Sequence, residues 1–539
     1  MNSQTVDASS QSLSFAIFAG LVSVTLLLCI MTSAERDDLD EFYTGFRTLA
    51  PLRNGLAIAG DYISAATVLS TIGIIALTGF DGLILALSTA LSLLLLMVLL
   101  AEPLRHAGRF TIGDALTHRA PSRSVRLATT AVTLASLLPL MVFQLSGAGH
   151  LVTLVLGFEG SSVRTATIIA LGGLMIGYAA IGGMKGTALI HIIKLVVLFA
   201  ASALLAVLVM DKVGWNPSRL LALADQGSGA GPAFSRSGLL IEATPLGKVD
   251  LVFSALTVVF GAACLPHVTM RMFTAKNAPA IRRAMSYAVM IMGVFVVLIA
   301  VVGAGATALL GRGVIEAGGP QGSTAILQLA QAIVADSASF STLVFTTVAT
   351  AVFLTLLSSV AGMILACGNS LAHDLYAHVT TRKGTEPEPR RELLIARAAA
   401  FAVGVPAIVI AVLVQDNGLR ALIILSFSIG ASAIAPALVL SLFWPRCTRT
   451  GVLGSLIGGT VSATVVTVFS TTVSGTPQSL FPDSDFDIFP LTTSGLISMP
   501  LGFLLGWAGT LLSRPESQDR QIQEYAAAEP RLLAGAERR

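Results

Sequence analysis

Charge is scarce in this chain: only 12% of its 539 residues are Asp, Glu, Lys or Arg, while 54% are apolar. A soluble protein of this length would carry about a quarter charged residues, so the deficit argues against a water-soluble multidomain protein. A net charge of +3 offers no bulk field for a nucleic-acid partner. Cysteine is equally sparse. Cys29, Cys264, Cys367 and Cys447 lie in or beside apolar runs, without metal-ligand spacing or a disulfide framework, and read as small buried hydrophobes. There is no GxxxxGK[ST] loop, which argues against ATP as the energy source. There is no HExxH or comparable nucleophile arrangement either, so no enzyme is expected. The first apolar run, Leu13 to Met31, follows Asp7 and no Lys or Arg, and lacks the basic start of a signal peptide; it reads as a retained span.

What the chain has in abundance is apolar runs of roughly 20 residues, the length that crosses the hydrocarbon core of a bilayer. They predict an all-α polytopic membrane protein of about 13 helices, near 12–33, 52–79, 82–101, 125–156, 164–181, 186–210, 248–274, 285–311, 340–372, 393–415, 419–444, 450–472 and 488–513. An odd count puts the termini on opposite sides. Most Lys and Arg, including Arg105, Arg109, Arg119, Arg123, Arg126, Arg271, Lys276, Arg282, Arg283 and the tail arginines, fall on one side, which predicts an external N-terminus and an internal C-terminus. Three segments outside the spans are sizeable: an external loop at 211–247, an internal loop at 373–392, and an internal polar tail from Ser513. None is large enough for a catalytic or regulatory domain. Transport driven by an ion gradient is what this elimination leaves.

Polar residues inside the spans sharpen that expectation. The stretch GLAIAGDYISAATVLSTIGIIALTG, Gly55 to Gly79, places Gly60, Asp61, Ser64, Thr67, Ser70 and Thr71 where lipid satisfies none of them. Irregular backbone at that depth is tolerated only where it lines a cavity, so an unwound hinge is expected over Gly60, Asp61 and the hydroxyl run that follows. Such breaks offer carbonyls to a cation and a positive helix end to an anion. The plainer alternative is that the hydroxyls bond back to their own helix. In TTVATAVFLTLLSSVAG, Thr355, Ser358 and Ser359 share one helix face. Their oxygens suit a hard cation such as sodium, although Ser and Thr also pack and cap. In FGAACLPHVTMRMF, Pro266 predicts a second break five helices after the first, as in an inverted five-helix repeat. His267 stands beside that break as a titratable or a structural group. Lys194, inside a span nine residues after Lys185, either snorkels to the interface or serves a function.

Five segments, in order, give the chain a family resemblance: AGDYISAATVLSTIGIIALTGFDGL; EPLRHAGRFTIGDALTHR, matched through Arg105, Gly108, Arg109, Phe110, Thr111 and Asp114; GGMKGTALIHIIK; CLPHVTMRMFT; and HDLY at His373–Tyr376. Over about residues 40 to 510 the chain resembles the sodium/solute symporter family, and within it the cation/acetate symporter (acetate permease) branch of bacterial monocarboxylate transporters. The resemblance implies a leucine-transporter-like core of two inverted five-helix repeats, at 48–212 and 248–445. An extra span and loop (1–47) precede them, the external loop (213–247) separates them, and two helices (446–515) and a tail (516–539) follow. It implies a sodium site at Gly60, Ile63, Thr355, Ser358 and Ser359. It also makes Thr67 a substrate contact and sets Phe260 near an inner gate, with Asp61 and Ser64 grouped beside them. Relatives with a second cation site carry Thr-Asp where this chain has Ile190 and His191, and Gln near Lys194. A second sodium site is therefore not expected, and His191 and Lys194 become candidates for attracting an anion.

The resulting expectation is a multi-pass symporter in a bacterial inner membrane. It would import a short monocarboxylate such as acetate, propionate or a pyruvate-like acid with Na+ as coupling ion and no organic cofactor. The rival coupling ion is H+, carried by His191, His267 or Asp61, and a transporter-like sensor is the rival of a different class. Expected partners are a small carboxylate and the lipid bilayer, with a homo-oligomer or a small accessory membrane protein left open.

Overall fold

The computed structural model describes residues 8–31, 38–118, 122–156, 160–241, 244–319, 322–334, 338–380, 388–415, 417–476 and 479–534. The middle of the expected internal loop, at 381–387, and the end of the tail lie outside the described residues. The described chain is helical almost throughout. It contains no strand, and only isolated bridges join Ser470 to Phe489 and Ser474 to Phe481. Among the described residues nine helices are long and apolar enough to cross a membrane, or up to eleven if two bent pairs each form one span. Ser161–Lys212 holds two of the expected spans, separated by non-helical backbone at Gly183, and the described part of the N-terminal helix contributes the short apolar stretch Val22–Met31.

The helix Phe340–Thr380 forms the central post, and its apolar stretch is wholly buried. A helix apolar on every face needs protein on every face, and this one packs most extensively along Ser161–Lys212 and also against Arg123–Leu156 and Pro389–Leu413. Pro51–Tyr62 lies between Ser161–Lys212 and Ala278–Leu310. Both expected breaks are present. The first helix stops at Tyr62 and resumes in a π-turn at Ala66–Ser70 followed by Thr71–Thr78, bent by 67°. The second helix, Pro245–Cys264, stops where Leu265 turns extended (ψ 134°), and Pro266, having no N–H to lose, opens the short helix Pro266–Thr269.

Outside these helices the segments are tied down. In the expected external loop, Asn216 caps Pro217–Gly227, which packs on Ala278–Leu310. Buried Asp81 accepts from the amides of Gly238 (3.0 Å) and Leu240 (2.9 Å), fixing the loop at the start of the Phe80–Leu95 helix. The polar tail is itself helical over Pro515–Ala534, and turns 109° from Gly495–Leu511 to pack against Ala101–Ala107.

The kink in Ser161–Lys212 falls at Gly183, where φ is +52° and ψ −155°. A side chain there would be strained by the backbone and would meet Phe42, whose ring carbon and carbonyl oxygen lie 3.0 and 3.1 Å from a Cβ position. Gly183→Ala is expected to cost about 1–3 kcal/mol, read as a lower midpoint in thermal unfolding of the detergent-solubilised protein; an unchanged midpoint would contradict the assignment.

Candidate functional site

The hinge of the first broken helix falls within the expected stretch, at Ile63 and Ser64. Gly60 and Asp61 stay helical, and the backbone leaves the helix at Ile63 (φ −73°, ψ 90°), which turns the Ile63 carbonyl out of the helical ladder. Ser64 then accepts from the Thr67 amide at 3.3 Å, capping the second half in the manner of an N-cap serine. Gly60 is needed for a different reason: a Cβ there would collide with the His191 carbonyl, so glycine lets the first half-helix lie against Ser161–Lys212.

Asp61 is held in its helix by a buried ion pair. Its Oδ2 accepts from Arg271 Nε at 2.8 Å, and both side chains are 1% exposed. The guanidinium also reaches Met184 Sδ (3.0 Å) and Thr187 Oγ1 (3.4 Å). His191 Nε2 lies 3.2 Å from Asp61 Oδ1, at ion-pair distance but without hydrogen-bond alignment. The Asp61 Oδ1, both His191 ring nitrogens and His267 Nδ1 are buried and find no hydrogen bond among the described residues. Positive-inside counting placed Arg271 in an internal loop, but the structure buries it. A carboxylate inside a span requires a cation, and that requirement is the signal pointing to Arg271; the sequence also offered Lys194 and could not choose.

The expected cation ligands converge on the same region from the central helix. A methyl at Gly362, one turn after Ser358, would lie 2.8 Å from Asp61 Oδ1 and 3.2 Å from His191 Nε2, so Phe340–Thr380 meets the first half-helix and Ser161–Lys212 here. Two of the three hydroxyls bond back to their own helix: Thr355 Oγ1 to Ala351 O (2.7 Å) and Ser358 Oγ to Leu354 O (2.6 Å). Ser359 Oγ accepts from Lys194 Nζ at 3.1 Å. Lys194 is 0% exposed, so it does not snorkel to the interface.

A separate cavity of about 120 Å³ opens beside the second half-helix. Thr67, Ser70 and Thr71 line it from that half-helix, Leu85 and Thr89 from the next, Thr257 from Pro245–Cys264, and Arg420 and Phe427 from Arg420–Ile429. Of the expected substrate or gate residues, Thr67 lines this cavity. Asp61, Ser64, His191, Lys194 and Phe260 do not; Phe260 is half-buried on the core and the others are buried.

The sodium:solute symporter family model matches residues 42–459. The chain belongs to that family. This symporter is 33% identical to a monocarboxylic acid transporter of Corynebacterium glutamicum over 97% of its own length and 95% of that protein. It is 34% identical to the uncharacterized symporter YwcA of Bacillus subtilis, over 96% and 97%. Two solved structures share its fold. One is a Na+-coupled sialic acid symporter in a substrate-bound, outward-open state, with a TM-score of 0.70 at 16% identity, covering 93% of this chain and 98% of that one. The other is Mhp1, a nucleobase-cation-symport-1 family transporter, in a closed conformation, with a TM-score of 0.53 at 14% identity, covering 90% and 98%. The fold is thus the leucine-transporter-like one, and the protein is a multi-pass transporter.

Within the symporter the family's loop motif closes a second buried polar cluster. Thr111 caps Ile112–Leu116, and Asp114 completes the capping box by accepting from the Phe110 (2.8 Å) and Thr111 (3.3 Å) amides; its carboxylate also meets Arg126 at 2.9 Å and His373 at 3.1 Å. Burial works to raise the Asp114 pKa, but His373 and Arg126 overcome it and hold the carboxyl well below its usual range. Arg126 also pairs with Asp374 at 2.7 Å, and His373 with Glu392 at 2.9 Å, so the HDLY segment is tied to three other segments. Arg109, from the same motif, is by contrast 62% exposed; it lies over the Phe110 ring and pairs with Asp40, a pair of little energetic weight.

Because Asp61 and Arg271 each answer the other's buried charge, removing one strands its partner at a cost of about 3–5 kcal/mol. Asp61→Asn and Arg271→Gln should each lower thermal stability strongly. The double variant should lose less than the sum of the two, with coupling on the order of 0.5–3 kcal/mol; strictly additive losses in the four-way comparison would contradict the pairing.

Proposed function

We propose that this symporter imports a short-chain monocarboxylate, of the acetate, propionate or pyruvate class, together with sodium across a bacterial cytoplasmic membrane. The observation that carries this reading is the shared hinge. Ile63 joins the half-helix Pro51–Tyr62, whose Asp61 meets the hydroxyl-bearing central helix at Gly362, to the second half-helix, which through Thr67 forms a wall of the small cavity. A cation bound at the hinge would therefore bias the position of the cavity wall, which is how a coupling ion gains a differential affinity for one state. Oxygen ligands of low formal charge, the Ile63 carbonyl and the Ser358 and Ser359 hydroxyls, suit sodium. The named monocarboxylic acid transporter supports the substrate class, and the Na+-coupled neighbour supports the ion. Gly60 and Thr355 remain in the proposed set through their carbonyls. The outward placement of the N-terminus, the repeat boundaries at 48–212 and 248–445, and the inner membrane location belong to the same proposal.

One observation favours a second reading, proton coupling. The Lys194 ammonium already donates to Ser359, so in this arrangement a fixed cation holds an oxygen that sodium would use. Uptake of radiolabelled acetate into proteoliposomes, with sodium and proton gradients imposed separately, separates the two. The sodium reading expects accumulation under the sodium gradient alone, competed by propionate and pyruvate, and in Ser358→Ala a several-fold rise in the sodium concentration for half-maximal uptake. Accumulation under a proton gradient alone, with Ser358→Ala indistinguishable from wild type, would establish the proton reading instead.

A further inference from the structure

The cavity beside the second half-helix has an unusual lining. Its walls are hydroxyl groups and apolar side chains, and its one charged lining residue is Arg420. Among the described residues Arg420 has no hydrogen bond and no ion pair within 4 Å. Among the described residues the opposite charge that acts on it is Asp250. Asp250 is spoken for: its carboxylate accepts from the Thr492 amide and hydroxyl, each at 2.9 Å, and from the Thr493 amide at 3.4 Å. A guanidinium whose donors meet no partner among the described residues, set in a small chamber of apolar and hydroxyl groups, is a receptor for a small anion with an apolar body.

We propose that Arg420 receives the carboxylate of the transported acid in this cavity, while Thr67 and Phe427 bound the remainder of the molecule. The inference rests on the monocarboxylate reading and adds the residue that selects the charge. It also moves anion recognition away from His191 and Lys194. Those residues lie outside the cavity lining, one beside Asp61 and the other on Ser359, where an anion would have to compete with groups already paired to them. Carboxylate binding at Arg420 would keep the charged head beside Thr492 and Thr493, on the segment that Asp250 anchors. The cavity size would then set the length of the tail.

The test is acetate uptake by the full chain in proteoliposomes, comparing wild type with Arg420→Gln, Arg420→Lys and Arg420→Cys. Arg420→Gln should raise the half-saturating acetate concentration at least about tenfold, equivalent to about 1.4 kcal/mol at 25 °C. Its maximal rate should stay within about twofold of wild type. Arg420→Lys should fall between the two, because it keeps the charge and loses the fork. If Arg420→Gln is inactive, Arg420→Cys decides: an aminoethyl methanethiosulfonate, which adds an ammonium, should restore uptake where the uncharged methyl reagent does not, with wild type treated in parallel. An unchanged half-saturation in Arg420→Gln, or equal rescue by both reagents, overturns the assignment while leaving the monocarboxylate reading intact. Failure of wild type to take up any short monocarboxylate under either gradient overturns both.

Discussion

The ion pair between Asp61 and Arg271 is the constraint on which the rest of the site depends. Two charges removed from water inside an apolar bundle are costly, and their mutual attraction offsets that cost only in good geometry with further hydrogen bonds. Here Arg271 also reaches Met184 and Thr187 on Ser161–Lys212, so one guanidinium ties together both interrupted helices and the helix they lie against. The pair fixes the first half of the broken helix up to Tyr62. The change of direction must then fall after it, at Ile63 and Ser64, where no charge is anchored.

From that pinned half, two neighbourhoods of opposite character diverge. Around Asp61 the structure gathers titratable and cationic groups, with Arg271, His191 and Lys194 buried beside the central helix. Around Thr67 it leaves a chamber of hydroxyls and apolar side chains with a lone arginine. The first fixes the broken helix beside the proposed cation ligands; the second suits a small anion. The hinge at Ile63 joins them, with Asp61 on the half-helix before it and Thr67 on the half-helix after it, and this is the physical content of coupling in the proposed cycle: one broken helix answers to two sites.

The architecture was legible in the sequence because hydropathy and helix breakers act locally. The apolar runs, Pro266 and the gap between the two breaks all translate directly into backbone. Within the polar stretch the exact point of the break was not legible, because a glycine there has two uses, a break or a close approach. Gly60 serves the second, against a His191 carbonyl that lies 131 positions away in the chain. The boundary that the sequence shows near Gly183 is where the helical backbone of Ser161–Lys212 is interrupted. Charge pairing was the least legible. Nothing in the order of residues says that Asp61 meets Arg271 while Lys194 meets Ser359, since these distances are decided by the packing of four helices. The same holds for Arg420, which by position is a basic residue at a helix start and becomes a cavity wall only once the fold is closed.

The most direct test of the account is the reactivity of a single thiol on the moving wall. In Thr67→Cys, the four native cysteines being buried, labelling by a small water-soluble thiol reagent would be followed with and without sodium, and then with acetate added. The account predicts that sodium alone changes the labelling rate, because a cation at the hinge repositions the cavity wall, and that acetate then protects the thiol. A labelling rate indifferent to sodium, with or without acetate, would contradict the claim that the hinge and the cavity are joined by one half-helix.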